Sequence, residues 1–123
     1  MNQRVRSYLI ELARKRTNQT ITYQKLSDSC DLKLDMGNIV DRNKIATMLD
    51  EISTYEHANK RPLLSALVIR LSDGYEGDGF YKMAERLGYG SWQKLKRENI
   101  FEVEQITKCI KFWCDNNNYQ QHK

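Results

Sequence analysis

The chain has 123 residues, 40% of them hydrophobic and 29% charged, and carries a formal net charge of +4. This composition belongs to a globular protein with the core of a single domain, and it excludes a disordered or fibrous chain. No apolar run approaches the roughly 20 residues that a membrane helix needs, and the charged N-terminus lacks the continuous core of a signal peptide.

Val5, Leu9, Leu12 and Ala13 recur at helical spacing, so residues 3–15 read as an amphipathic helix. Thr17-Asn18-Gln19-Thr20 breaks the pattern, Ile21 is briefly extended, and Thr22 is placed to cap a short helix over 23–29. Leu32, Leu34 and Met36 alternate with charged residues as loop or short strand before Gly37-Asn38. Asp41 is expected to cap the next helix, whose apolar face is Ile45, Met48, Leu49, Ile52 and Tyr55. It should end near Asn59, because the residue before Pro62 is pushed out of the helical region.

Six of the eight residues from 64 to 71 are aliphatic, which predicts a buried strand, with a turn at Ser72-Asp73-Gly74. Phe80, Met83, Ala84 and Leu87 mark a short helix stopped by Gly88. Ser91 should cap a long final helix with Trp92, Leu95, Ile100, Val103, Ile106, Ile110 and Trp113 near one stripe, kinked or broken around Glu98-Asn99. The polar tail 115–123 is expected to fray. The fold class is therefore α+β and mostly helical, with a small sheet. Helix, helix, helix, strand and turn is the skeleton of a winged helix-turn-helix, with the wing near 74–79.

The stretch VRSYLIELARKRTNQTITYQKLSD is similar to the opening of the C-terminal winged-helix domain of alkylguanine DNA alkyltransferases and alkyltransferase-like proteins. Thr22, Tyr23, Leu26 and Ser27 stand where that family has T-Y-x-x-L-A, with serine in place of alanine. The family's reactive P-C-H-R reads Pro62-Leu63-Leu64-Ser65 here, so nucleophile, histidine and arginine are all missing. The resemblance thus implies a winged-helix fold and a DNA partner, without alkyl transfer.

Charge is unevenly spread. Residues 1–16 hold five Lys/Arg against one acid, whereas residues 17–90 hold nine against eleven. A DNA-binding reading makes residues 41–58 the recognition helix and uses Arg4, Arg6, Arg14, Lys15, Arg16, Arg42 and Lys44. A protein-docking reading uses the acidic middle of the chain, namely Asp50, Glu51 and Glu56 on the helix and Asp73, Tyr75, Glu76 and Asp78 on the loop. That surface suits a basic partner, most concretely a nuclease toxin neutralised by a bacterial immunity protein. The docking reading is the favoured one, because acids near the wing repel phosphate.

Metal and catalytic chemistry are not expected. The loop 73–79 lacks the spacing of a calcium site, and the three cysteines and two histidines show no close metal-ligand spacing. An odd cysteine count without C-x-x-C fits reduced thiols in the cytoplasm. No cofactor motif is present, and no acid pair stands out from surface charge.

Overall fold

The computed structural model describes residues 1–72, 74 and 76–123 and shows a mostly helical α+β fold. Helix α1 spans Gln3–Ala13, with Asn2 at its N-cap accepting from Val5 N at 3.0 Å. Its buried face is Val5, Leu9, Leu12 and Ala13, joined by Ile10 and Arg6. Strand β1 is only Ile21–Thr22, and the Thr22 hydroxyl caps α2, Tyr23–Ser29, as its position predicts.

Helix α3 runs Ile39–Ala58 and starts earlier than expected. Asn38, not Asp41, is the cap, its Oδ1 accepting from Val40 N at 2.8 Å and Asp41 N at 3.2 Å. Asp41 sits in the first turn, where a carboxylate complements the helix dipole, and accepts from Asp35 N at 3.0 Å. At the other end Lys60 takes a left-handed φ of 60°, and Arg61 N folds back to Glu56 O at 2.9 Å.

The expected strand 64–71 is corrected. Leu64–Leu67 form a 3-10 turn, and only Val68–Ile69 form strand β2, parallel to β1 with Ile21 opposite Val68. A two-residue partner cannot support a longer ladder, and nearby backbone donors go elsewhere. Leu63 N donates to Gln105 Oε1 at 3.0 Å and Ser65 N to Ser53 Oγ at 3.1 Å. Residues 63–68 are buried throughout, so the apolar run reflects all-round burial and not strand geometry.

Helix α4, Asp78–Arg86, buries Phe80, Tyr81, Met83 and Ala84 and stops at Gly88, whose φ of 97° suits glycine. The C-terminal segment is three helices: α5 Trp92–Glu98, α6 Phe101–Cys114 and α7 Asn116–His122. The expected break falls at Asn99, which is left-handed with φ 58°. The tail expected to fray is helical, because Asp115 caps it through Asn118 N at 2.9 Å and α1 holds it. Arg6 Nη2 donates to His122 O at 2.7 Å, and the Arg14 guanidinium lies 3.8 Å from the Tyr119 ring centroid.

Two hydrophobic clusters share the interior. The larger packs α1, α2, α3 and the 3-10 turn against Cys109 and Trp113 of α6, and the smaller joins Leu63 and Ala66 to α4 and Phe101. Between α1, α3 and Arg61 lies a buried ion triad. Glu56 is fully buried; its Oε1 accepts from Arg6 Nε at 2.6 Å and its Oε2 from Arg61 Nε. The Tyr55 ring lies 5.3 Å from both guanidinium carbons. Replacing Glu56 with alanine strands two buried cations, so Glu56→Ala is expected to cost about 3–5 kcal/mol, read as a lowered urea midpoint. Asn38→Ala is expected to cost about 1 kcal/mol as a lost cap in the same measurement, more than Asp41→Ala.

Candidate functional site

A cleft of about 710 Å³ lies between the start of α2, the first half of α3 and the segment joining β2 to α4. That volume lies within the range of small-ligand sites. Its apolar lining includes Met36, Ile39, Ile45, Leu49, Leu71 and Phe80, and its polar lining includes Gln24, Arg42, Asn43, Asp50, Ser65 and Arg70. Thr22 sets this wall, since capping α2 turns Tyr23 into the cleft.

Outside the cleft lining is a buried acid group that sequence reasoning did not assemble. Glu76, expected on an exposed docking loop, is 2% exposed, and Glu102 of α6 is 4% exposed. Neither carboxylate oxygen of Glu76, nor Oε2 of Glu102, has a hydrogen-bond partner in the protein. An unsatisfied buried polar group costs roughly 1–3 kcal/mol, so three such oxygens are a substantial load on a small fold. Burial pushes the Glu76 carboxyl well above the ordinary glutamate range, the charge of Glu102 adds to the rise, and Arg70 opposes it. Burial also raises the Tyr23 and Tyr81 hydroxyls; Glu76 adds to the first and Glu102 to the second, and Arg70 opposes both.

The remaining docking residues separate. Glu56 is buried in the ion triad and is no surface group. Asp50 pairs with Arg86 at 3.4 Å, and partial burial raises its carboxyl while Arg86 lowers it. Glu51 is exposed, 3.8 Å from the Met1 amino group. Asp78 is exposed and accepts from Lys96 at 2.6 Å, a bond that holds its carboxyl below the usual range. Asp73 and Tyr75 lie outside the described residues.

The basic set divides too. Arg6 is buried against Glu56, and Arg14 donates to Trp113 O at 2.8 Å, so both serve the fold. Arg4 is exposed and donates to Cys30 O at 3.2 Å. Lys15, Arg16, Arg42 and Lys44 are exposed, and Arg42 lines the cleft.

The residues missed were Tyr23, Arg70, Tyr81 and Glu102. A signal existed for Glu102: it shares a helical stripe with Gln105, Cys109 and Trp113, all buried, whereas Ile100 and Val103 are 56% and 58% exposed. The left-handed Asn99 restarts the helix with a new phase, so the stripe carried over from Trp92 and Leu95 falls on the wrong face.

Among hydroxyls, Ser65 lies at the cleft with its Oγ 2.6 Å from Ser53 Oγ; His57 Nδ1 lies 3.1 Å from Tyr89 OH, and the His122 ring packs against Phe112. Among the described residues no group of three or more His, Cys, Asp or Glu could hold a metal ion, and no helix is long and apolar enough to cross a membrane. No protein-family model, curated protein or solved structure matches this chain.

The buried Glu76 has a thermodynamic signature. Its folded-state value is raised, so the native state keeps a proton that the unfolded chain has lost, and stability falls as pH rises above about 4.3 towards the raised value. Glu76→Gln is expected to remove this slope and to raise the urea midpoint at neutral pH. Identical pH slopes in the two proteins would contradict the placement of Glu76.

Proposed function

We propose that this chain is a non-catalytic, cytoplasmic DNA-binding protein that presents the first half of α3 to a groove of the duplex. The observation that carries this reading is the exposure of that half-helix. Residues 39, 40, 42–44, 46 and 47 all stand clear of the core and include Arg42, Asn43, Lys44 and Thr47. These side chains supply phosphate contacts and hydrogen bonds to base edges. Of the wing acids that argued against DNA, Glu76 is buried and Asp78 meets Lys96, and the acids on or near α3 are largely engaged as well. Glu56 is neutralised inside, Asp50 meets Arg86, and Asp41 is bound to Asp35 N and lies 4.0 Å from Lys44.

The order of α1, β1, α2, α3 and β2 supports the winged-helix resemblance, in which α3 is the recognition helix. Among the described residues no third strand follows β2, so binding rests on α3 and not on a wing hairpin. Cys30, Cys109 and Cys114 are free thiols, consistent with a reducing compartment.

A second reading keeps one observation in its favour. Ile39 and Val40 at the start of α3 are 65% and 58% exposed, and Leu71 across the cleft is 85% exposed. Such apolar groups suit a protein partner, and Asp50, Glu51 and Asp78 remain to meet a basic nuclease toxin, as in an immunity protein.

Fluorescence anisotropy with a random duplex tests the first reading. Binding is expected to weaken steeply with salt, and Arg42→Ala to lower affinity by about tenfold, or about 1.4 kcal/mol. Lys44→Ala is expected to reduce the salt slope by about one unit. Salt-independent or absent binding, together with inhibition of a basic nuclease, decides for the second reading.

A further inference from the structure

A DNA-facing α3 leaves the cleft beside it without an occupant. The cleft walls are mainly apolar: Ile45, Leu49 and Phe80 reach it from the core, and Met36 is half-buried there. Ile39 on α3 and Leu71 after β2 also line it, and both stay largely exposed. Large aliphatic side chains held open to water from two segments, around one concavity, are characteristic of a binding surface. The volume and the apolar lining are those of a small-molecule site.

Charge decides which class of molecule fits. Two acids line the cleft, and each is paired with a cation that does not line it. Asp50 meets Arg86 at 3.4 Å, and Asp78 accepts from Lys96 at 2.6 Å. Arg42 also lines the cleft, is exposed, and has no ion-pair partner among the described residues. Arg70 lies in the lining too, but its charge acts on the buried Glu76.

The cleft thus combines apolar walls with the unpaired guanidinium of Arg42. A cationic ligand is repelled there, and a neutral one leaves the guanidinium unused. A carboxylate matches its planar fork with two parallel charge-assisted hydrogen bonds. Asn43, the next residue in the lining, adds an amide donor beside it.

We propose that the cleft binds a small organic monocarboxylate with an extended apolar body, the carboxylate on Arg42 and the body against Met36, Ile39, Leu71 and Phe80. The site shares Arg42 with the DNA reading but does not depend on it. Binding is read without DNA, so the failure of either leaves the other standing.

Decanoate is the probe, titrated below its micelle concentration into the isotope-labelled full chain at neutral pH, with amide NMR as the readout. The expected result is saturable shifts at the amides of Gln24, Ile39, Arg42 and Gly79, with those of α7 unmoved. Arg42→Ala should weaken binding about tenfold. Leu71→Asp, at a position too exposed to support the fold, should weaken it at least as much. Lys108→Ala removes an exposed cation that does not line the cleft and should change nothing. Decylammonium carries the same tail with the opposite charge and should not produce these shifts. Acetate, the carboxylate without the tail, should bind at least about a hundredfold more weakly. The proposal is overturned if decanoate gives no saturable shifts, or if they fall outside the cleft. It is overturned equally if decylammonium or acetate binds as well as decanoate, if Arg42→Ala or Leu71→Asp binds as tightly as wild type, or if Lys108→Ala loses as much as Arg42→Ala. Shifts of the same amides on concentrating the ligand-free protein identify a second copy as the occupant and overturn it too.

Discussion

The fold depends on one buried carboxylate. Glu56 lies at zero exposure between the guanidinium groups of Arg6 and Arg61, and through them it joins α1, α3 and the segment leading into Pro62. Arg6 extends the link to the C-terminal residues through His122 O, and Trp113 lies 5.6 Å from its guanidinium carbon. A buried charge is tolerated only with partners held in good geometry. This requirement positions four parts of the chain relative to one another. The Arg61 backbone adds to it, bonding Glu56 O and turning the chain out of α3 towards the 3-10 turn.

The second acid group, Glu76 with Glu102, has the opposite character. Glu56 is satisfied on both oxygens, whereas Glu76 is satisfied on neither. Both are buried glutamates in one small protein, and the difference is the supply of cations at each place. Two arginines serve Glu56, while the second cluster has two acids for Arg70. The first arrangement holds the fold together. The second leaves three buried carboxylate oxygens without a hydrogen-bond partner in the protein.

Local elements were legible where local chemistry decides them. Thr22 caps α2, Asn59 ends α3, Gly88 ends α4 and the C-terminal segment breaks at Asn99, all from capping and backbone preference. The run 64–71 is not a strand throughout because the hydrophobicity of 63–68 reports burial from all sides, and the backbone donors of Leu63 and Ser65 are satisfied by the Gln105 and Ser53 side chains. Asp41 is not the cap of α3, because Asn38 accepts from the backbone N–H groups of Val40 and Asp41 itself. The candidate site was only partly legible: Arg42, Lys44, Asp50 and Asp78 are on the surface as expected, but Glu56, Glu76, Arg6 and Arg14 are not the free surface charges that the expectation required.

Composition, periodicity and capping residues by themselves determined the mostly helical class, the positions of most helices and the absence of the alkyl-transfer motif. Those properties depend on a residue and its neighbours within a turn or two. Only the tertiary structure decided which charges lie inside. A glutamate at position 56 or 76 looks the same in sequence as one at position 51, and its fate depends on whether arginines from distant segments arrive beside it. The parallel pairing of β1 with β2 and the helical tail at α7 have the same origin, since each rests on contacts between residues more than forty positions apart. The acid pair joins Glu76 to a residue on α6, a pairing set by the new phase of the helix after Asn99.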